Sequence, residues 1–241
     1  MNWRIAVGRV AAAVVALVVI SGALLTPSST SSQNAPPHPV LLTRESPLYS
    51  VAVVGDSYTT GSTEGGNGAQ GWTALTWQKL ARRGQDVDPN VAAEGRAGYV
   101  VRGYNGNVFG DLTPRAVTAN DVLVVFFGSR NDQGADPLAL AGMTQDAFAQ
   151  AHRIAPRANL LVIGPPWPTA DVPQAVLQIR DVLRFTASMA GATFVDPIAE
   201  QWFVGRPDLI GADGVHPTDA GHAYMAERIA PLISAQLPRG V

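Results

Sequence analysis

The sequence predicts an α/β protein: a three-layer α/β/α sandwich around a central parallel sheet of five strands. Short β-branched runs alternate with helix-length segments from Tyr49 onward. One run, residues 122–127 (VLVVFF), is apolar without interruption, as expected of a strand buried on both faces. Polar, Gly-rich stretches follow the strands, where an open parallel sheet places its ligands.

Each element has its own signal. Residues 50–54 (SVAVV) read as a strand ending at Gly55, and residues 87–93 as a second. Residues 72–83 carry Trp72, Leu75 and Leu80 at helical spacing and stop at Gly84. After the strand at 122–127 come a helix at 137–154, a strand at 160–163 and a helix at 172–189. A short strand at 193–195 and a final helix at 218–237, which contains Pro231, complete the pattern. There is no internal repeat and no second globular domain.

Three zones divide the chain. Arg4 and Arg9 precede an uncharged run at residues 10–25, so residues 1–25 read as a signal peptide or an N-terminal membrane anchor. Such a run is short for a spanning helix, which needs about 20 apolar residues. Ser21-Gly22-Ala23 offers a small-residue cleavage site, although Leu24 and Leu25 continue the apolar run. Either outcome exports the chain, as a secreted protein or one held at the cell envelope. Residues 26–46, rich in Ser, Thr and Pro, read as a flexible linker, and residues 47–241 as the folded domain.

Composition narrows the function. At 46% hydrophobic and 15% charged, the chain has ample material for a core. Without residues 1–35 it carries 15 basic against 19 acidic residues, a balance with no footprint for nucleic acid. The chain has no cysteine, which rules out disulfides and thiolate metal sites.

The chemistry-bearing residues fall after strands. Gly55-Asp56-Ser57 follows the first one, and a serine hydroxyl becomes a nucleophile only when a base takes its proton. By itself the triplet is an ordinary turn. Asp213-Gly214-Val215-His216-Pro217 offers the base: an Asp three residues before a His can accept the Nδ1 hydrogen and leave Nε2 facing the serine. Alone, Asp-x-x-His reads as a helix-entry turn, with Pro217 starting the last helix. Gly95 could offer a backbone N–H to a developing oxyanion, and Asn131 a side-chain amide, although both residue types also favour plain loops.

Together these stretches resemble the SGNH hydrolases, the GDSL-like esterases and lipases, over most of the presumed domain. Gly55-Asp56-Ser57 matches the first family block, Gly95 counted from Asn90 the second, Asn131-Asp132 the third, and Asp213-x-x-His216 the fifth. Gly98 is an alternative to Gly95. Ser129 stands where the usual third block has Gly, with Gly128 one place earlier, and Tyr58 stands where the nominal first block has Leu. The resemblance implies a flavodoxin-like SGNH fold and a Ser57-His216-Asp213 triad. It also implies an oxyanion hole from Ser57 N–H, Gly95 N–H and the Asn131 amide. No metal or cofactor is implied. The expected substrate is a carboxylic ester of a carbohydrate, a lipid or a small alcohol. Acyl transfer through the same serine and non-catalytic glycan binding are the alternatives.

Other signals are weaker. Gly66-Asn67-Gly68-Ala69-Gln70-Gly71 matches a dinucleotide fingerprint, but Val54 ends its strand too early for the motif, so a mobile loop at the site's rim is expected. His222 reads as a structural or surface residue, and His152 and Arg153 as helix C-terminal charges. Trp167 reads as either pocket lining or packing, and Arg96, Arg102 and Arg130 as solvated. Asp56 and Asp132 are expected to support their loops through hydrogen bonds.

Overall fold

The computed structural model describes residues 48–238, so the expected signal segment and the whole of the expected linker lie outside the described residues. Five strands form one parallel sheet: β1 (Leu48–Gly55), β2 (Asp86–Ala93), β3 (Leu123–Phe127), β4 (Asn159–Ile163) and β5 (Thr193–Val195). Their order is β2-β1-β3-β4-β5. From β1 the sheet grows one way to β2 and then the other way from β3 onward, and this switch between β1 and β3 opens a crevice beyond their carboxyl ends.

The helices are α1 (Ser57–Thr60), α2 (Trp72–Ala81), α3 (Phe109–Ala116), α4 (Pro137–Ile154), α5 (Gln174–Met189) and α6 (Asp219–Gln236). Side chains alternate across a strand, so each central strand feeds two cores. Ala52, Val54, Val124, Phe126, Leu160 and Val162 face α3, α4 and α5. Val51, Val53, Leu123, Val125, Leu161 and Ile163 face α2 and α6. All five residues of β3 are buried, as its unbroken apolar run requires. At the sheet edge, β2 keeps Pro89 because one side of an edge strand has no ladder bond to lose.

Helix α3 has no counterpart in the sequence reading. It is short and holds Gly110 and Pro114, two helix-disfavouring residues. Burial of Phe109, Leu112 and Ala116 and a bond from Val108 N–H to Asp111 (3.1 Å) compensate. The start of α6 also differs from expectation. Pro217 bridges to Ile210, Thr218 caps the helix through its hydroxyl, and the first helical residue is Asp219. Pro217 therefore fixes the approach to α6 and is not its first residue.

His222 belongs to the interior, being fully buried on the face of α6 that meets α2. Gly71 has no side chain with which to cap α2, and the Trp72 N–H donates instead to His222 Nδ1 (3.3 Å). That bond needs a neutral imidazole with its hydrogen on Nε2. Burial pushes the ring down to about 4, which keeps it neutral. Gly66 lies against the same ring at φ +78°, so close that a Cβ there would sit 2.0 Å from Nε2.

This contact gives two expectations. Gly66→Ala, strained in backbone and blocked by the ring, should destabilise the fold by about 2 kcal/mol or more in urea denaturation. For His222, the unfolded chain takes up a proton near pH 6.5 and the fold only near 4. Its contribution to stability is therefore full above that window and falls as pH drops through it, by up to about 3 kcal/mol. His222→Gln should flatten the stability–pH curve between those limits. The buried Asp56 carboxyl titrates in this range in the opposite sense, but it is common to both proteins and cancels in the comparison.

Candidate active site

The loop bearing Ser57 is built from a tight exit off β1. Gly55 is required there, because a Cβ would meet the Thr59 hydroxyl at 2.2 Å. Asp56 then caps α1, accepting the Tyr58 N–H at 2.9 Å, and Ser57 becomes the helix's first residue at the carboxyl end of the sheet. Asp56 is buried, and burial pushes its carboxyl to about 6 against the Tyr58 N–H and the Arg130 charge, which pull it down. Tyr58 points the other way into the core and donates its hydroxyl to Val215 O at 2.5 Å. That bond ties the Ser57 loop directly to the turn bearing His216.

The turn is closed by one carboxylate. Asp213 Oδ1 accepts the N–H groups of Val215 (2.8 Å) and His216 (2.9 Å), and Gly214 takes the positive φ of +66° that the tight bend demands. Asp213 Oδ2 lies 2.5 Å from His216 Nδ1, and His216 Nε2 lies 3.0 Å from Ser57 Oγ. A carboxylate at Nδ1 holds the hydrogen there and leaves Nε2 as an acceptor for the Ser57 hydroxyl. Burial raises the Asp213 carboxyl, but the hydrogen bonds from the His216 ring and the two N–H groups outweigh it and hold it below the usual range. It stays ionised at neutral pH. The structure thus brings Ser57, His216 and Asp213 into one line.

Gly95 joins them. It lines a cleft of about 490 Å³ together with Ser57, Asp213 and His216. Among the described residues the N–H groups of Ser57 and Gly95 have no hydrogen-bond partner within the chain. Gly98 does not line this cleft; its missing side chain makes room for Asp132, whose Oδ1 would lie 2.3 Å from a Cβ. Asn131 is placed less directly. Its amide donates one hydrogen to Ala97 O (3.0 Å), and the residue is not part of the cleft wall. A second amide hydrogen remains.

Ser129, the residue that departs from the nominal third block, is buried and fully employed. Its hydroxyl donates to Ala97 O (2.9 Å) and accepts the Asn131 N–H (3.0 Å). Ser129 and Asn131 therefore converge on one carbonyl and fasten the loop after β3 to the loop after β2. Asp132 completes that junction by accepting the N–H groups of Tyr99, Val100 and Val101 at 2.8–2.9 Å. Burial raises its carboxyl despite those three donors. Asp56 and Asp132 thus act as loop supports, as the sequence suggests.

Several contributors escaped the sequence reading. Glu94 is buried beside Gly95 and accepts the Asn105 N–H (2.5 Å) and the Asn107 side-chain amide, which fixes the loop carrying Tyr104. Burial raises the Glu94 carboxyl, but these donors and the charge of Arg115 pull it lower still, so the net shift is downward. Glu64 accepts the Ala212 N–H (2.8 Å), one residue before Asp213. With the Gly66 N–H bonded to Asp219 (2.8 Å), it pins the Gly-rich segment that was read as mobile. Residues 66–71 themselves do not line the cleft; Gly61, Ser62 and Thr63, just before them, do. The only sequence signal for Glu64 and Glu94 is an acidic residue inside a Gly-rich stretch, which names no partner.

Trp167 is not part of this cleft. Its indole donates to Asp171 O (3.0 Å), and the Arg130 guanidinium lies over its ring at 4.0 Å. Arg130 is thereby a packed cation instead of a solvated one, and Arg96 lies 5.6 Å from the centre of the Tyr104 ring. Arg102 remains exposed beside Asp111. Among the described residues, no group of three His, Asp or Glu side chains is arranged to hold a metal ion.

Comparison with known proteins agrees with this architecture. The chain is 64% identical over 199 residues to the GDSL lipase Rv0518 of Mycobacterium tuberculosis, a match spanning 81% of this chain and 86% of that protein. Its fold resembles Est24, a carbohydrate acetylesterase from Sinorhizobium meliloti, with a TM-score of 0.57, 18% identity and coverage of 78% of this chain and 100% of the other. It also resembles a family two carbohydrate esterase from Clostridium thermocellum solved with cellohexaose, with a TM-score of 0.60, 17% identity and coverage of 78% and 64%. The family model for GDSL-like lipases and acylhydrolases matches residues 53–224, from within β1 into α6. With that span of sequence and a 2-1-3-4-5 parallel sheet, the chain belongs to the GDSL-like lipase/acylhydrolase family, the SGNH hydrolases.

Proposed function

We propose that this chain is an exported serine esterase that cleaves carboxylic esters through an acyl-enzyme. The observation that carries the reading is the 3.0 Å contact between Ser57 Oγ and His216 Nε2, with Asp213 behind the ring. His216 takes the hydroxyl proton as Ser57 attacks the ester carbonyl. The oxyanion is held by the free N–H groups of Ser57 and Gly95 and by the second amide hydrogen of Asn131. His216 then passes its proton to the departing alcohol. A water molecule, deprotonated by the same ring, releases the carboxylic acid and restores the serine. Export rests on Arg4, Arg9 and the uncharged run at residues 10–25. That segment also allows membrane association.

Family membership supports the hydrolase class, and the unspent N–H groups support the site. A glycan-binding protein on this scaffold has no use for an imidazole poised on a serine. An acyltransferase differs only in the acceptor that takes the acyl group, and product analysis with an added alcohol separates it from a hydrolase.

Two variants test the assignment against p-nitrophenyl acetate. Ser57→Ala should lose hydrolysis while melting as the wild type does; retained turnover removes Ser57 from the mechanism. Asn131→Ala should lower kcat by ~10²–10³, the usual loss for one oxyanion donor. An unchanged kcat would leave the Asn131 amide with its Ala97 bond alone.

A further inference from the structure

The cleft wall carries a feature that folding does not call for. Tyr104 is 75% exposed, yet it is held firmly. Its N–H donates to Gly95 O at 3.1 Å, and its ring packs so closely on Gly95 that a Cβ there would meet Cδ2 and Cε2 at 3.0 Å. The flanking residues are fixed in turn by the buried Glu94 carboxylate. An aromatic ring normally contributes to stability by burial; this one stays exposed, with the Arg96 guanidinium 5.6 Å from its centre, at the wall of the cleft that holds Ser57. The surrounding wall is polar, with Thr60, Ser62, Thr63 and Asn105. A second hollow of about 400 Å³ touches the Asp213–His216 turn at Gly214 and is apolar, lined by Pro168, Ala170, Phe203, Pro207 and Ile210 among others.

We propose that Tyr104 is the stacking platform of a pyranose-binding subsite, so that the alcohol released by Ser57 is a sugar carrying a short acyl group. This rests on the esterase reading above. A pyranose ring presents a face of C–H groups made electron-poor by neighbouring oxygens, and these match the negative face of an aromatic ring. Its edge is a row of hydroxyls that need partners, which the Thr, Ser and Asn side chains provide. A hydrocarbon chain laid in this cleft would strip water from the Thr63 hydroxyl and the Asn105 side-chain amide and offer them no partner in return. Tyrosine suits the task because it has only two rotatable side-chain bonds to immobilise.

The test compares kcat/KM for methyl 6-O-acetylglucopyranoside with that for propyl acetate, an ester of similar acyl group and no ring. Tyr104→Ala should lower the glucoside-to-propyl preference roughly fivefold to tenfold, through KM more than kcat. Tyr104→Phe, which keeps the ring, should restore it. An unchanged preference in Tyr104→Ala, or failure of Phe to rescue, overturns the platform. Wild-type cleavage of propyl acetate without the glucoside overturns it as well and leaves the esterase assignment standing. Cleavage of neither ester overturns both.

Discussion

The arrangement depends on one hydrogen bond, between a serine at the end of the first strand and an imidazole at the entrance to the last helix, 159 positions later. A contact of this kind is useful only if both partners are held by something other than each other. Asp213 does this for the histidine by closing a turn on itself with one oxygen and orienting the ring with the other. Asp56 does it for the serine by capping α1. The Tyr58 hydroxyl, bonded to Val215 O, then fixes the distance between the two loops. Proximity of this kind replaces an entropic cost that free groups would meet at every encounter.

Buried carboxylates recur throughout the active-site end of the molecule. Asp56, Asp132 and Glu94 are all nearly inaccessible; Asp132 and Glu94 accept backbone N–H groups from a neighbouring loop, and Asp56 accepts the Tyr58 N–H of the helix it caps. Loops beyond a parallel sheet have no ladder to satisfy their backbone donors, and an unpaired buried N–H is expensive. A carboxylate with several lone pairs can gather two or three such donors at once, which converts an irregular loop into a fixed one. At Glu94 the donors and the charge of Arg115 outweigh burial and the carboxyl is lowered; at Asp56 and Asp132 desolvation prevails and the carboxyl is raised. These acids act on the architecture of the site and not on the substrate.

The two hollows around the catalytic turn differ in character, one polar with an exposed ring and the other apolar. An ester has two unlike halves, and a site that offers unlike walls to them selects on both. The apolar hollow reaches the Asp213–His216 turn at Gly214 and is lined by glycines, prolines and Phe203. The family model and the 64%-identical mycobacterial lipase speak to the shared chemistry.

Sequence by itself determined the layers and the reacting groups. The unbroken run at β3, the alternation of strand and helix, and Gly-Asp-Ser and Asp-x-x-His at strand ends are local signals, because periodicity and turn chemistry act over a few residues. Only the tertiary structure decided what depends on contacts between distant segments. Helix α3, with Gly110 and Pro114 inside it, exists because Phe109 and Leu112 are buried by the opposing layer. His222 is interior because α2 lacks its own cap, and the Gly-rich segment is pinned because Glu64 and Asp219 find donors across the fold. Tyr58, Glu94 and Tyr104 are placed in the same way, by bonds to Val215, Asn105 and Gly95. A hydrogen bond between segments 9 to 157 residues apart leaves no periodic trace in the chain, so nothing local could have announced it.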